Sequence, residues 1–395
     1  MYFQSVDDKE QCLGIYVGGA LHFDGIPSNL QRTWKYTGSL KDPAIEYAWL
    51  RCGGLPLGEA CPEDLVPEWE AARRKMHAFK KSFEIAKIDF RDHCFFDLVP
   101  YDFLTQFLEV KNKITEHVFA NFASPENYGH LDHMQKFLHK LKYQTLNVNT
   151  DNCKNLFYSS GTRASVQKLV KSTAYIDYNL FGTVTGRLAT SPHSFPILTM
   201  KKELRKILKP HHDWFLSLDY NGAEIRTLLA LSGEEQPKND IHQWNVANVF
   251  KRLEIDRSEA KTIFFAWLYN PESTAIVTPY YNRQKVLDTC YDGGYISTVF
   301  GRHIKVEPRK AFNYLIQSTT ADLVNERALA IDRLLEGRKS FVSHIVHDEI
   351  VIDFADEDRE AVEEIKRTFA NNRLGTFMVN LKVGKNYYDL EDLSL

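Results

Sequence analysis

Apolar residues recur at helical spacing in three stretches of the first third of the chain: Pro67 to about Ala86, Tyr101 to about Phe122 and His130 to about Tyr143. Phe103/Leu104, Phe107/Leu108, Ile114 and Val118/Phe119 share one face in the second, and Met134, Phe137/Leu138 and Leu141 in the third. This pattern predicts long amphipathic helices forming an arm, with Ala123-Ser-Pro-Glu-Asn-Tyr-Gly129 as the turn at its tip. Residues 1 to 62 read as strands and loops, and strand-like and turn-like signals dominate from about 144 to 220. There Trp214-Phe-Leu-Ser-Leu-Asp-Tyr220 forms an apolar run that ends on a lone carboxylate, Asp219, before the turn at Asn221-Gly222. Asp256-Arg-Ser-Glu259 predicts a capped helix start, and Pro308 to Glu336 a long helix closed by Gly337. The tail from 341 alternates strand, helix (about 357 to 370) and strand, and Ser343 to Phe354 reads as a tight hairpin whose bend carries His347-Asp348-Glu349.

Composition narrows the class without naming a function. At 395 residues, 44% hydrophobic and 13% aromatic, the chain can bury one large core or two or three subdomains sharing one. Cys12, Cys52, Cys61, Cys94, Cys153 and Cys290 are scattered, with neither a disulfide framework nor zinc-ligand spacing, so a reduced compartment is expected: the cytoplasm, or the host cytoplasm for a phage-encoded chain. No apolar stretch reaches the roughly 18 residues of a membrane span, and no signal peptide pattern opens the chain. Met1-Tyr-Phe-Gln-Ser5 resembles the remnant of a cleaved tag, from which a natural protein extending further upstream is expected. A formal charge of −3 does not mark a nucleic-acid binder. Local charge does more: Lys201, Lys202, Arg205, Lys206 and Lys209 form one basic cluster, and Arg73-Arg74-Lys75 with Lys80-Lys81 another.

Asp219 and Asp348, delivered by separate strands of one sheet, are the minimum that a pair of divalent cations about 3.5–4 Å apart needs for in-line phosphoryl transfer. Between them, Arg257, Lys261, Phe265 and Tyr269 recur every four residues and wind slowly along one helix face. Two cations followed by two rings suit a triphosphate at one end and a base at the other; a surface helix with its rings packed inward gives the same stripe. Arg309, Asn313 and Gln317 repeat the spacing on the next helix, with Asp322 beyond. They suit minor-groove acceptors, or simply an exposed polar face.

These segments together resemble family A DNA polymerases, the type of bacterial DNA polymerase I and some phage replicases. Asp219-Tyr-Asn-Gly-Ala-Glu-Ile-Arg226 is similar to the family's motif A, Arg257-x3-Lys261-x3-Phe265-x3-Tyr269 to motif B and Val346-His-Asp-Glu349 to motif C. Between and beyond them Thr185-Gly-Arg187-Leu188, Asp240-Ile-His242, Tyr295-x2-Thr298-x2-Gly301-Arg302, Ala311-Phe-Asn-x3-Gln317-Ser-Thr-x-Ala-Asp322 and Val383-Gly-Lys-Asn-Tyr387 match in order and spacing from about 170 to the end. The resemblance implies an α+β right-hand polymerase fold, with an antiparallel palm sheet and helical fingers and thumb. Residues 1–64 would form an N-terminal segment packed on the palm, 65–145 the thumb, 146–225 and 311–395 the palm, and 226–310 the fingers.

By resemblance, Asp219 and Asp348, with the backbone carbonyl of Tyr220, hold two Mg²⁺ ions, for which Mn²⁺ can substitute, and Glu349 supports them. Arg205, His242, Arg257 and Lys261 hold the triphosphate, Lys261 also protonating the departing pyrophosphate; Phe265 stacks on the nucleotide and Tyr269 sits by the template base. Glu224 excludes a 2′-hydroxyl, while Arg187, Arg309, Asn313, Gln317 and His347 follow the primer-template. The implied partners are primer-template DNA and deoxynucleoside triphosphates, with no membrane; the enzyme is expected as a monomer, without proofreading in this chain because no DxE pair is found, an exonuclease being supplied by upstream sequence or by a separate exonuclease or replisome partner. The chain departs from the family pattern at Gly222 (usually Gln), at Asn270 (usually Gly) and across Phe195-Pro-Ile-Leu-Thr-Met200. The rival readings are a catalytically idle primer-template binding module, a single-subunit RNA polymerase and a metal-dependent nuclease.

Overall fold

The three arm helices form where their apolar periodicity places them: α1 (Val66–Ile85), α2 (Tyr101–Asn121) and α3 (Tyr128–Lys142). A computed structural model describes residues 1–40, 42, 44–90, 92–149, 160–251, 253–276 and 278–394, which separate into two units, Met1–Lys140 and Leu141–Leu395. Cys153 lies outside the described residues. No helix among them is long and apolar enough to cross a membrane.

In the first unit, β1 (Phe3–Asp8), β2 (Gln11–Val17) and β3 (Ala20–His22) form an antiparallel meander. The N-terminal segment, expected against the palm, shares its cores with the helices of this unit: Val6, Tyr16 and Leu21 pack with Phe103, Leu104 and Leu108, and Trp34 and Ala48 with Ile114 and Val118. The residues that resemble a tag remnant are built into this core. Phe3 and Gln4 are fully buried, and the Gln4 amide donates to Asn112 Oδ1 at 3.1 Å and Thr115 Oγ1 at 2.9 Å. Arg73, Arg74, Lys80 and Lys81 of the α1 basic cluster are exposed.

The second unit is organised around a five-stranded antiparallel sheet. Its elements are β4 (Trp214–Tyr220), α4 (Ala223–Leu231), α5 (Ile241–Asn248), α6 (Arg257–Tyr269), α7 (Arg283–Cys290), a small sheet of β5 (Tyr291–Asp292), β6 (Tyr295–Ser297) and β7 (His303–Lys305), α8 (Pro308–Leu334), β8 (Phe341–Val346), β9 (Glu349–Phe354), α9 (Val362–Ala370), β10 (Val379–Gly384) and β11 (Glu391–Asp392). The main sheet runs β8-β9-β4-β10-β11, so both acid-bearing strands are neighbours although more than a hundred residues of helical excursion separate them in sequence. α8 buries residues on all sides, from Ala311 through Asp322 to Ile331, which explains its weak amphipathic signal: it is a core helix with a polar first turn. Gly337, at φ +78°, ends the connection that follows it. The helix Ser160–Lys171 stands in a stretch whose sequence reads as strand and turn.

Candidate active site

Alternation along β4 sends Leu216, Leu218 and Tyr220 to one face of the sheet and Phe215, Ser217 and Asp219 to the other. The register sets Asp219 opposite Glu349 on β9 and opposite Asn380 on β10. His347 and Asp348 form the two-residue bend between β8 and β9. His347 holds φ at +58°, a left-handed conformation that costs a non-glycine residue roughly 1–3 kcal/mol and persists only where its surroundings enforce it.

Burial, followed by the negative charge of Asp348, pushes the Asp219 carboxyl up to about 7. Asn380 Nδ2 donates to Asp219 Oδ2 at 3.2 Å. Glu349 is committed elsewhere: its two oxygens accept from Ser217 Oγ at 2.6 Å and from the Tyr387 hydroxyl at 2.7 Å. Tyr220 turns its side chain away, stacking on Phe369 at 4.0 Å and donating its hydroxyl to the Phe369 carbonyl at 2.6 Å.

A cavity of about 460 Å³ opens beside the acids. Asp219, Asp348 and His347 line it, as do Arg257, Lys261, Phe265 and Tyr269 from α6. The four-residue stripe therefore faces one space along its whole length. Asp256 and Glu259 close a capping box at the start of α6, and the Phe265 and Tyr269 rings stack with centroids 6.0 Å apart.

Glu224, also on the cavity wall, is buried, and burial raises its carboxyl above the usual range. It accepts hydrogen bonds from Arg187 and from the Tyr269 hydroxyl, the latter at 2.6 Å. His242 lines the same cavity and is pushed down to about 4 by burial, with the cations Lys261 and Arg257 adding to the effect, so its imidazole is neutral at pH 7. Arg257 makes a two-point ion pair with Asp240, at 2.6 and 3.1 Å. The same carboxylate caps α5 through the backbone N–H groups of His242 and Gln243 and accepts from Asn221 Nδ2 at 2.7 Å. Although burial opposes it, this set of donors, led by Arg257, holds Asp240 well below the usual carboxylate range.

Five expected residues lie outside this cavity lining: Glu349, held in the sheet by Ser217 and Tyr387, and Arg205, Arg309, Asn313 and Gln317. Arg205 sits in the short helix Lys202–Ile207 with its guanidinium 4.6 Å from the Tyr387 ring centroid. On α8, Arg309 is exposed, Asn313 and Gln317 are half-buried, and the helix meets the cavity through Thr320 and Ala321. Several residues that shape the site were not singled out as site residues from sequence. Asn380 and Tyr387 hold the two acids of the sheet, and Asn221 and Asp240 join β4 to α5 and α6. Arg226, fully buried, donates to the carbonyls of Asn221, Pro237 and Asn239 at 2.8 Å each. A polar residue paired by register with a catalytic carboxylate is a usable signal, but only once the strand order is known.

Two departures from the family pattern have local causes. Gly222 starts α4 at φ +73°, and a Cβ there would stand 2.5 Å from Ile241 Cγ2. Asn270 ends α6 in an extended conformation, φ −104° and ψ 107°, which requires no glycine, and Arg283 grips this helix end by donating to the Trp267 and Pro271 carbonyls at 2.6 Å. In the third, Phe195 and Ile197 turn inward, each 1% exposed.

The chemistry of the donor set fits divalent cations. Asp219, its proton affinity raised by burial and by the charge of Asp348, and with one amide as side-chain donor, forms with Asp348 a site that a cation would compensate. Among the described residues no group of three or more His, Cys, Asp and Glu side chains surrounds one point. Asp219 and Asp348 on one cavity wall suit a Mg²⁺ type of site, in which one or two carboxylates share the ion with water and substrate phosphates.

The fold is that of a polymerase domain, an α+β architecture with an antiparallel sheet carrying the acids. The POL domain of Pol1 from M. smegmatis, solved in complex with DNA primer-template and dNTP, matches with a TM-score of 0.58 and 14% identity over 73% of this chain and 76% of that one. Residues 272–389 match DNA polymerase family A. DNA polymerase I, thermostable, of Thermus aquaticus is 29% identical over 241 residues, covering 48% of this chain and 29% of the relative. DNA polymerase I of Chloroflexus aurantiacus is 24% identical over 277 residues, covering 56% of this chain and 29% of the relative. The similarity to family A thus rests on residues 272–389 and on these relatives, of which the matched region spans under a third.

Proposed function

We propose that this chain is a template-directed DNA polymerase that adds deoxynucleotides to a primer 3′-hydroxyl and releases pyrophosphate. The observation that carries the reading is a single cavity bounded by both sheet acids and by the whole Arg257-Lys261-Phe265-Tyr269 stripe. Bound by Asp219, Asp348 and the Tyr220 carbonyl, two Mg²⁺ ions, or Mn²⁺ in their place, would make the primer hydroxyl a nucleophile at neutral pH and offset the charge of the leaving pyrophosphate.

The protein's own part is placement and charge. Lys261 and Arg257 present cations to the triphosphate, Lys261 being positioned to give the pyrophosphate a proton as it departs. His242, neutral through burial, can bond a phosphate oxygen without adding charge. Phe265 offers a face to the nucleotide, Tyr269 stands by the template base, and Glu224 fills the space beside the sugar. Glu349, held by Ser217 and Tyr387, keeps the hairpin in register beneath Asp219. Arg187 and His347 line the cavity where the primer-template would enter, and Arg309, Asn313 and Gln317 extend that path along α8.

Primer extension with Mg²⁺ tests the reading. Asp219→Ala and Asp348→Ala are expected to abolish extension while duplex binding survives in a gel-shift assay. Robust extension by either variant, or a wild-type preference for ribonucleotides, overturns it.

A further inference from the structure

The Asp219 carboxylate is oriented from the neighbouring strand β10. Asn380 stands opposite Asp219 in the β4–β10 register and donates Nδ2 to Oδ2 at 3.2 Å. One step further, the Asn221 N–H donates to the Met378 carbonyl at 3.0 Å, so the strand end that carries the acid is tied to this segment through side chain and backbone. Lys382 occupies the next position on the same face of β10 but extends toward Asp392, 4.0 Å away, and a neutral amide is left as the side chain that meets the acid.

The chemistry of that choice is specific. An amide donor engages one carboxylate oxygen and leaves the other available, and it adds no positive charge to compete with a cation. We propose that Asn380 is the positioning residue for Asp219 and thereby sets the affinity of the site for divalent cations. This inference rests on the two-cation reading above.

Mn²⁺ binding to the protein alone, followed by the electron paramagnetic resonance signal of the free ion, tests it without turnover. Asn380→Leu is expected to weaken Mn²⁺ binding by about tenfold, the lower end of what loss of a ligand's hydrogen-bond partner does to a metal site. The Mg²⁺ concentration for half-maximal extension should rise by a similar factor, with the nucleotide KM at saturating Mg²⁺ unchanged. Asn380→Thr, which suits a strand and keeps a shorter donor, should fall between Leu and wild type, and it decides the matter if the Leu variant does not fold. Wild-type Mn²⁺ affinity in the folded Asn380 variants, with binding lost in Asp219→Ala, overturns the role of Asn380. Undiminished Mn²⁺ binding in Asp219→Ala overturns the two-cation reading itself. A shift in nucleotide KM with no change in metal dependence would assign Asn380 a structural role only.

Discussion

Asp322, fully buried on α8, accepts three hydrogen bonds from Arg302: Nε reaches both carboxylate oxygens at 3.2 and 2.9 Å, and Nη2 one of them at 2.7 Å. Gly186, at φ +78°, lies so close to that guanidinium that a Cβ would collide with it. Three separate sequence motifs therefore meet at one ion pair, and the pair fixes the loop that presents Arg187 to Glu224.

Removing one partner of such a pair leaves a buried charge uncompensated, at a cost of about 3–5 kcal/mol. Asp322→Leu and Arg302→Met are each expected to lose roughly that much in denaturant unfolding, and the double variant Asp322→Leu/Arg302→Met less than the sum of the two single changes. A loss below about 1 kcal/mol for either single variant would remove the pair from the scaffold of the site.

The Glu224 carboxylate is held on both sides, by Arg187 and by the Tyr269 hydroxyl. Tyr269→Phe deletes one donor without changing the shape of the ring. Hydrogen bonds to charged groups contribute about 1.5–3 kcal/mol, so discrimination against ribonucleotides should fall by roughly 10- to 100-fold in single-nucleotide insertion, and further in Glu224→Ala. Unchanged sugar discrimination in Glu224→Ala would separate Glu224 from sugar choice.

His344 is completely buried between Phe215 and Tyr387, and burial, aided by the charge of Arg205, pushes its imidazole down to about 3. Its Nδ1 meets the Ser343 hydroxyl at 3.0 Å, and its Nε2 has no hydrogen-bond partner among the described residues. The unfolded chain takes up the proton near pH 6.5 and the folded one only near 3, so between those values the unfolded state holds more protons. Stability should thus be full above about pH 6.5 and fall on acidification by up to roughly 1.4 kcal/mol per pH unit from this group. His344→Phe, which keeps the ring and removes the proton site, should flatten that part of the profile of unfolding midpoint against pH. A profile identical to wild type would exclude His344 as the source.

What could be read from the sequence follows from how local each signal is. The α1, α2, α3 and α6 boundaries are carried by apolar period, capping and proline chemistry within a few residues of each end, and they fall within about two residues of their predicted places. The hairpin from Ser343 to Phe354 was legible from the flanking β-branched residues, although Glu349, expected in its bend, is the first residue of β9. The pairing of Asn380 with Asp219, of Tyr387 with Glu349 and of Arg302 with Asp322 was not, because each depends on strand order or on helix placement across 161, 38 and 20 residues of chain. The helix Ser160–Lys171 was missed because its apolar signal is short, Val166 and Leu169 being its buried hydrophobic residues among those described.

Gly222 shows how the scaffold selects a residue at a position where the motif A pattern it resembles has glutamine. Its φ of +73° and ψ of 57° are left-handed, and a Cβ would press on Ile241 Cγ2 at 2.5 Å. Holding a non-glycine residue there costs roughly 1–3 kcal/mol before any clash is counted. Gly222→Ala is therefore expected to lower the unfolding free energy by about that amount, and Gly222→Gln by at least as much, because the longer side chain keeps the same Cβ. If the contact with Ile241 contributes, Ile241→Ala should be less harmful in the Gly222→Ala background than in wild type, a coupling that a double-mutant cycle measures directly. Additive losses would assign the whole effect to the backbone, and a Gly222→Gln variant as stable as wild type would show that this turn relaxes to the geometry a glutamine can adopt.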